Sequence, residues 1–119
     1  MRAFFLSLAL VACCLASPAQ ANSNIKKMEP EASAILGASP EFIKIRFVQP
    51  IRPKESFIRV LDKEGTQMNS DILIASQDEK MLTSPLPELE FGTYTVEWKA
   101  LCQCNAQTAT EGTYQFTIR

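Results

Sequence analysis

Cys102-Gln103-Cys104 is the place in this 119-residue chain where residue type and spacing bring two reactive atoms together. Residues i and i+2 of an extended segment project to the same side. Both thiols can therefore reach one ion, and thiolate sulfur is a soft donor that suits copper(I). Coordination itself deprotonates a thiol whose free pKa is about 8.5. The same two atoms have other uses. An extended i, i+2 pair separates its Cα atoms by roughly 6.5 Å, near the upper end of what a disulfide spans, so an internal bond is the first alternative. Pairing with another molecule or thiol exchange is the second.

The chain has no histidine. The commonest general base and the commonest ligand for zinc and copper(II) are thus both absent. Serine and aspartate occur without a histidine or an activating motif beside them and read as turn and surface residues, so no enzyme is expected. No βαβ pattern surrounds the cysteines, which argues against a thioredoxin-like oxidoreductase. Outside the first residue the methionines are Met28, Met68 and Met81. A lone methionine is usually a gap-filler, and a thioether is also a soft donor.

The amino-terminal stretch sets the compartment. Met1-Arg2 brings one positive charge, Ala3 to Ala16 is almost unbroken apolar, and Ser17 to Ala21 ends in a small-x-small site. Together they read as a secretory signal peptide over residues 1–21, cleaved after Ala21, with export to the periplasm. The apolar run is too short to span a bilayer. Leu10-Val11-Ala12-Cys13 offers the alternative of a lipoprotein anchored at Cys13. Cleavage after Ala21 leaves residues 22–119, enough for one domain with one core. It removes Arg2 alone among the charged residues, so 11 basic and 13 acidic side chains remain. No basic patch stands out, so nucleic acid and anionic membrane are not expected partners. A monomer without membrane insertion is expected. Cys102 and Cys104 are then the two thiols of the mature domain, in an oxidising space.

The elements that must position this pair are strands. Ile43, Ile45 and Phe47 alternate with Lys44 and Arg46; Ile58 and Val60 flank Arg59; Tyr94, Val96 and Trp98 alternate with Thr95, Glu97 and Lys99; Tyr114, Phe116 and Ile118 repeat the rhythm. Period-two alternation marks half-buried strands, with Tyr94, Trp98 and Phe116 on the core side. Asp71 to Ala75 and Lys80 to Thr83 are two further candidates. Breakers are expected at Ser39-Pro40, Pro50 to Pro53, Lys63 to Gly65, Ser84 to Pro87 and Glu111-Gly112. The pattern predicts an all-β fold, a single Ig-like Greek-key antiparallel sandwich or barrel.

Several stretches carry a resemblance to a known family. Ile25 with Met28 to Ala32, followed by Ala38 to Phe47 and Gln49-Pro50-Ile51, resembles the opening of the CopC-like copper-resistance domain. Leu86-Pro87 leading to Gly92 to Trp98, then Gly112 to Ile118, resembles its end. The resemblance covers residues 22–119. It implies a periplasmic copper-binding sandwich, with an inner-membrane copper-transport protein as candidate partner.

The family's ligands do not carry over. In that family a histidine at the first mature position supplies an amino group and an imidazole to copper(II), and Asp-x-His after the tryptophan strand completes the site. Here Asn22 holds the first position, Cys104 falls where the aspartate would be, and the histidine position falls near Ala106. The expected metal residues are therefore Cys102 and Cys104, with Met28 as a third donor because the family packs the mature amino terminus close to this loop. Met68 and Met81 lack the clustered methionine run of the family's copper(I)-binding relatives. The expected function is an exported copper-binding protein of the copper-resistance type, holding copper(I) through a Cys-x-Cys loop. The alternative is a metal-free Ig-like interaction module. Both cysteines are expected in a loop outside the core, so that serine at either leaves the melting temperature almost unchanged.

Overall fold

The computed structural model describes residues 24–104 and 109–119. The expected signal peptide, Cys13, Asn22 and Ala106 lie outside them. Eight strands follow in chain order: β1 Ile25–Glu29, β2 Ile35–Leu36, β3 Phe42–Phe47, β4 Ile51–Leu61, β5 Ile74–Ala75, β6 Met81–Pro85, β7 Gly92–Cys102 and β8 Ala109–Ile118. They form two four-stranded sheets, ordered β1-β3-β6-β5 and β2-β8-β7-β4. The expected fold class is the observed one, an all-β sandwich in one domain.

Alternation is what stacks the sheets. Ile43, Ile45 and Phe47 from β3, Leu82 from β6, Ile58 and Val60 from β4, Val96 and Trp98 from β7, and Phe116 and Ile118 from β8 are all buried in one core. Lys44 and Arg46 keep partial exposure between them. Each such aliphatic or aromatic side chain contributes about 1.5–3 kcal/mol by leaving water. Two aromatic pairs order the centre: Phe47 meets Trp98 edge-on at 6.0 Å, and Tyr94 stacks on Phe116 at 5.6 Å.

The structure departs from the sequence pattern at several places, and Ser84-Pro85, expected as a breaker, lies inside β6. The sandwich is not antiparallel throughout, since β2 runs parallel to β8, with Ile35 opposite Thr117. The chain leaves the first sheet after β1, turns at Ser33, and donates Ser33 N–H to the Gln115 carbonyl as it joins the second. Pro50 to Pro53 does not break the chain either, because β4 begins at Ile51 and runs through Pro53. Proline is tolerated there because β4 is an edge strand and Pro53 to Ser56 bulge outward opposite Ala100 alone. Ser56 closes the bulge by donating to the Arg52 carbonyl and accepting Leu101 N–H. Glu111-Gly112 lies inside β8 rather than between strands. Asp71 to Ala75 yields only the two-residue β5. The Lys63 to Gly65 turn is as expected: Gly65 takes φ +81°, which favours glycine, and the Asp62 carboxylate accepts from Glu64 and Thr66 N–H groups.

Candidate metal centre

One rim of the sandwich gathers four pieces of chain. The β3–β4 turn is held by Asn24, whose carbonyl accepts Val48 N–H at 2.8 Å and whose side-chain oxygen accepts Gln49 N–H at 2.9 Å. Beside it, the end of β7 pairs Cys102 with Ile51. Gln103 then fastens the next residue: its N–H donates to the Pro50 carbonyl at 2.9 Å and its side-chain Nε2 to the Ile51 carbonyl at 2.9 Å. Ile51 in turn donates its N–H to the Glu79 carbonyl in the β5–β6 turn. That turn is organised by Asp78, which accepts from the Ser76 hydroxyl and the Lys80 N–H. The Ser76 hydrogen bond, ahead of the Lys80 N–H and the Arg46 charge, holds the Asp78 carboxyl below its usual range.

Cys102 and Cys104 sit on either side of the fastened Gln103, joined as a disulfide with Cα atoms 5.2 Å apart. The separation is shorter than in an extended segment because Gln103 and Cys104 already form a turn. The two sulfurs differ in surroundings. Cys102 continues the inward series of Tyr94, Val96, Trp98 and Ala100 and is 3% exposed, whereas Cys104 is exposed. The expectation that both cysteines lie in a loop outside the core is therefore corrected for Cys102, which is the last core position of β7. The Cys104 N–H donates to Cys102 Sγ at 3.1 Å.

The methionines stand elsewhere. Met28 faces Ile45 across the β1–β3 ladder and packs against the core, four residues or roughly 13 Å along the strand from Asn24. Met68 packs against the same core. Met81 lies on the outer face, where Arg46 donates to its sulfur at 3.8 Å. The structure thus brings Cys102 and Cys104 together at the rim where Asn24 precedes β1, and does not bring Met28, Met68 or Met81 to them. Among the described residues no group of three or more histidine, cysteine, aspartate or glutamate side chains could hold a metal ion. Sequence reasoning missed Gln103 and Asn24 as the residues that fix this rim, since a single polar side chain in a turn carries no periodic signal.

A family model described as the CopC domain matches residues 25–119. The chain belongs to the CopC domain family. Two solved structures of the same fold support the placement. CopC from Methylosinus trichosporium OB3b is 29% identical with a TM-score of 0.72, covering 79% of this chain and 90% of that one. PcoC, a methionine-rich copper resistance protein from Escherichia coli, is 26% identical with a TM-score of 0.67, covering 81% and 97%. No curated protein matches. The CopC family is periplasmic and copper-binding, and this member keeps the scaffold while its sequence contains no histidine.

Proposed function

We propose that this domain is an exported copper carrier that binds one copper(I) ion through Cys102 and Cys104 once their bond is reduced. The observation that supports it is the meeting of the two sulfurs at one rim, next to the start of β1, in a family that binds copper. With no histidine in the chain, soft thiolates are the remaining strong donors, and they select copper(I) over copper(II) or zinc. Gln103, fastened at two points, keeps the residues on each side of it in place when the disulfide opens. Met28 would have to leave the core to become a third donor, so the proposal rests on the two cysteines. Export to the periplasm follows cleavage after Ala21, and an inner-membrane copper transporter is the receiving class of partner.

The bonded state of the pair favours a second reading, in which the oxidised domain is a metal-free interaction module. Anaerobic copper(I) titration of the reduced mature domain against a chromophoric chelator separates the two. One equivalent bound by the parent and none by the Cys102→Ser, Cys104→Ser double variant is the expected result. Equal binding by both proteins sinks the cysteine site.

A further inference from the structure

We infer that the Cys102–Cys104 bond is opened in one direction, by thiol attack on Cys104 Sγ with Cys102 as the leaving sulfur, a dithiol supplying the two electrons. The inference rests on the proposed function, because it names how that site is made ready for its ion.

Access decides which sulfur is attacked. An incoming thiolate needs room for a second sulfur in line with the bond it breaks. Cys104 is exposed in the turn and offers that room, while Cys102 is 3% exposed at the end of a core strand and does not. An open groove lies beside Gln103, lined by Arg52, Pro53, Lys54, Glu55 and Glu79. The leaving side is also prepared. Burial by itself opposes charge on Cys102, but the Cys104 N–H already points at its sulfur from 3.1 Å and stabilises the electron pair that arrives there. Gln103 holds both residues through its bonds to Pro50 and Ile51, so the released sulfur stays beside Cys104.

The exchange balances as two steps. A partner thiolate bonds to Cys104 Sγ, the Cys102–Cys104 bond breaks, and its electron pair passes to Cys102 Sγ. The partner's second thiolate then attacks the partner sulfur of the mixed disulfide, forms the partner's own disulfide and releases Cys104 as thiolate. Two electrons move from the partner dithiol to the pair, which then presents two thiolates to copper(I).

Reduced glutathione serves as the probe. The oxidised mature domain is exposed to it briefly, quenched with N-ethylmaleimide, and the peptide spanning residues 100–119 is fragmented on either side of Gln103. Glutathione on Cys104 and maleimide on Cys102 should exceed the reverse arrangement by about tenfold or more, as burial of one sulfur requires. In the reduced single variants, Cys102→Ser should react with glutathione disulfide about tenfold or more faster than Cys104→Ser, for the same reason. Equal or reversed labelling in the parent, or equal rates in the variants, overturns the inference. Copper(I) titration of the fully reduced domain is independent of both measurements. Its failure would remove the proposed function and leave the direction of exchange standing.

Discussion

Trp98 and Gly112 face each other across β7 and β8, and a Cβ placed on Gly112 would stand 3.2 Å from the indole Cζ2 and 3.4 Å from Cε2 and Nε1. The indole covers the backbone of the neighbouring strand, and only a residue without a side chain leaves it that space. Such a distance is tighter than ordinary van der Waals contact, so the ring or the strand must shift to admit even one methyl group.

Gly112→Ala is therefore expected to destabilise the domain by about 1–3 kcal/mol, the range for overpacking a filled site. The shift should appear in Trp98 fluorescence as well as in the melting temperature. Trp98→Ala removes the ring altogether and should cost about 3–5 kcal/mol through lost burial and a residual cavity. Denaturant unfolding of the two variants beside the parent checks both; a Gly112→Ala protein as stable as the parent would mean that the indole does not lie across β8.

Much of this core is legible in the sequence because burial on one face leaves a period of two. Ile43, Ile45, Phe47, Val96, Trp98 and Phe116 are inside, as their alternation with polar neighbours requires. Gly112 was open to the right reading too: an isolated glycine within a strand pattern marks a close approach as readily as a turn. What alternation does not reveal is continuation through a breaker. Pro53 survives in β4 because that strand is an edge and bulges there, and edge position is a property of sheet order, which no local window contains. β1 and β2 escaped for a related reason: they are short, half-exposed and built from Ile-Lys-Lys-Met-Glu and Ile-Leu, with little contrast between their faces.

The candidate centre was legible as a pair and not as a place. Composition singles out Cys102 and Cys104 as the two thiols of residues 22–119, but the burial of the first depends on how far β7 runs. The inward series simply continues from Trp98 through Ala100 to Cys102, opposite Ile51.

A second prediction concerns the link between the sheets. Asn69 is buried between them, donating to the Ile58 carbonyl at 2.8 Å and to the Ser84 hydroxyl oxygen at 2.7 Å, and accepting Val60 N–H at 2.8 Å. It thereby supplies β4 with partners that an edge strand lacks on its free side. Asn69→Ala strips partners from buried groups, each costing about 1–3 kcal/mol when left unpaired, so a loss of at least about 2 kcal/mol is expected. Hydrogen exchange at the Val60 amide should rise in the variant; unchanged exchange and stability would show that water replaces the side chain without cost.

Tyr114 gives a third prediction, with a pH dependence. Its hydroxyl is buried and has no hydrogen-bond partner among the described residues, and burial raises its pKa far above the ordinary value near 10. The folded protein therefore holds a proton that the unfolded chain releases above that value. Stability is fully present below pH 10 and falls as the pH rises from there toward the folded pKa. Tyr114→Phe removes both the unpaired hydroxyl and this titration. It should match or exceed the parent by about 1 kcal/mol at neutral pH and widen its lead above pH 10. Urea unfolding at neutral and alkaline pH tests this; a variant that loses stability at neutral pH would mean that the hydroxyl has a partner.

The last prediction separates the two cysteines by what each touches. In the reduced, metal-free state, Cys104→Ser changes an exposed turn residue and should leave stability within about 0.5 kcal/mol of the reduced parent. Cys102→Ser places a hydroxyl at the end of the core face of β7, where the sulfur is covered and Ile51 stands opposite. Burying a hydroxyl there costs about 1–3 kcal/mol unless it finds a partner, so the two variants should melt at clearly different temperatures. Toward copper(I) they should behave alike, since each leaves one thiolate where two are needed and a neutral hydroxyl is a poor soft-metal ligand. Thermal unfolding of both reduced variants beside copper(I) competition titrations gives the two readouts on the same samples. Unequal stability with equal loss of copper(I) is the expected pattern. A Cys104→Ser protein that still bound copper(I) as tightly as the parent would move the site toward Cys102 and the methionines, with Met28→Leu as the next variant to titrate.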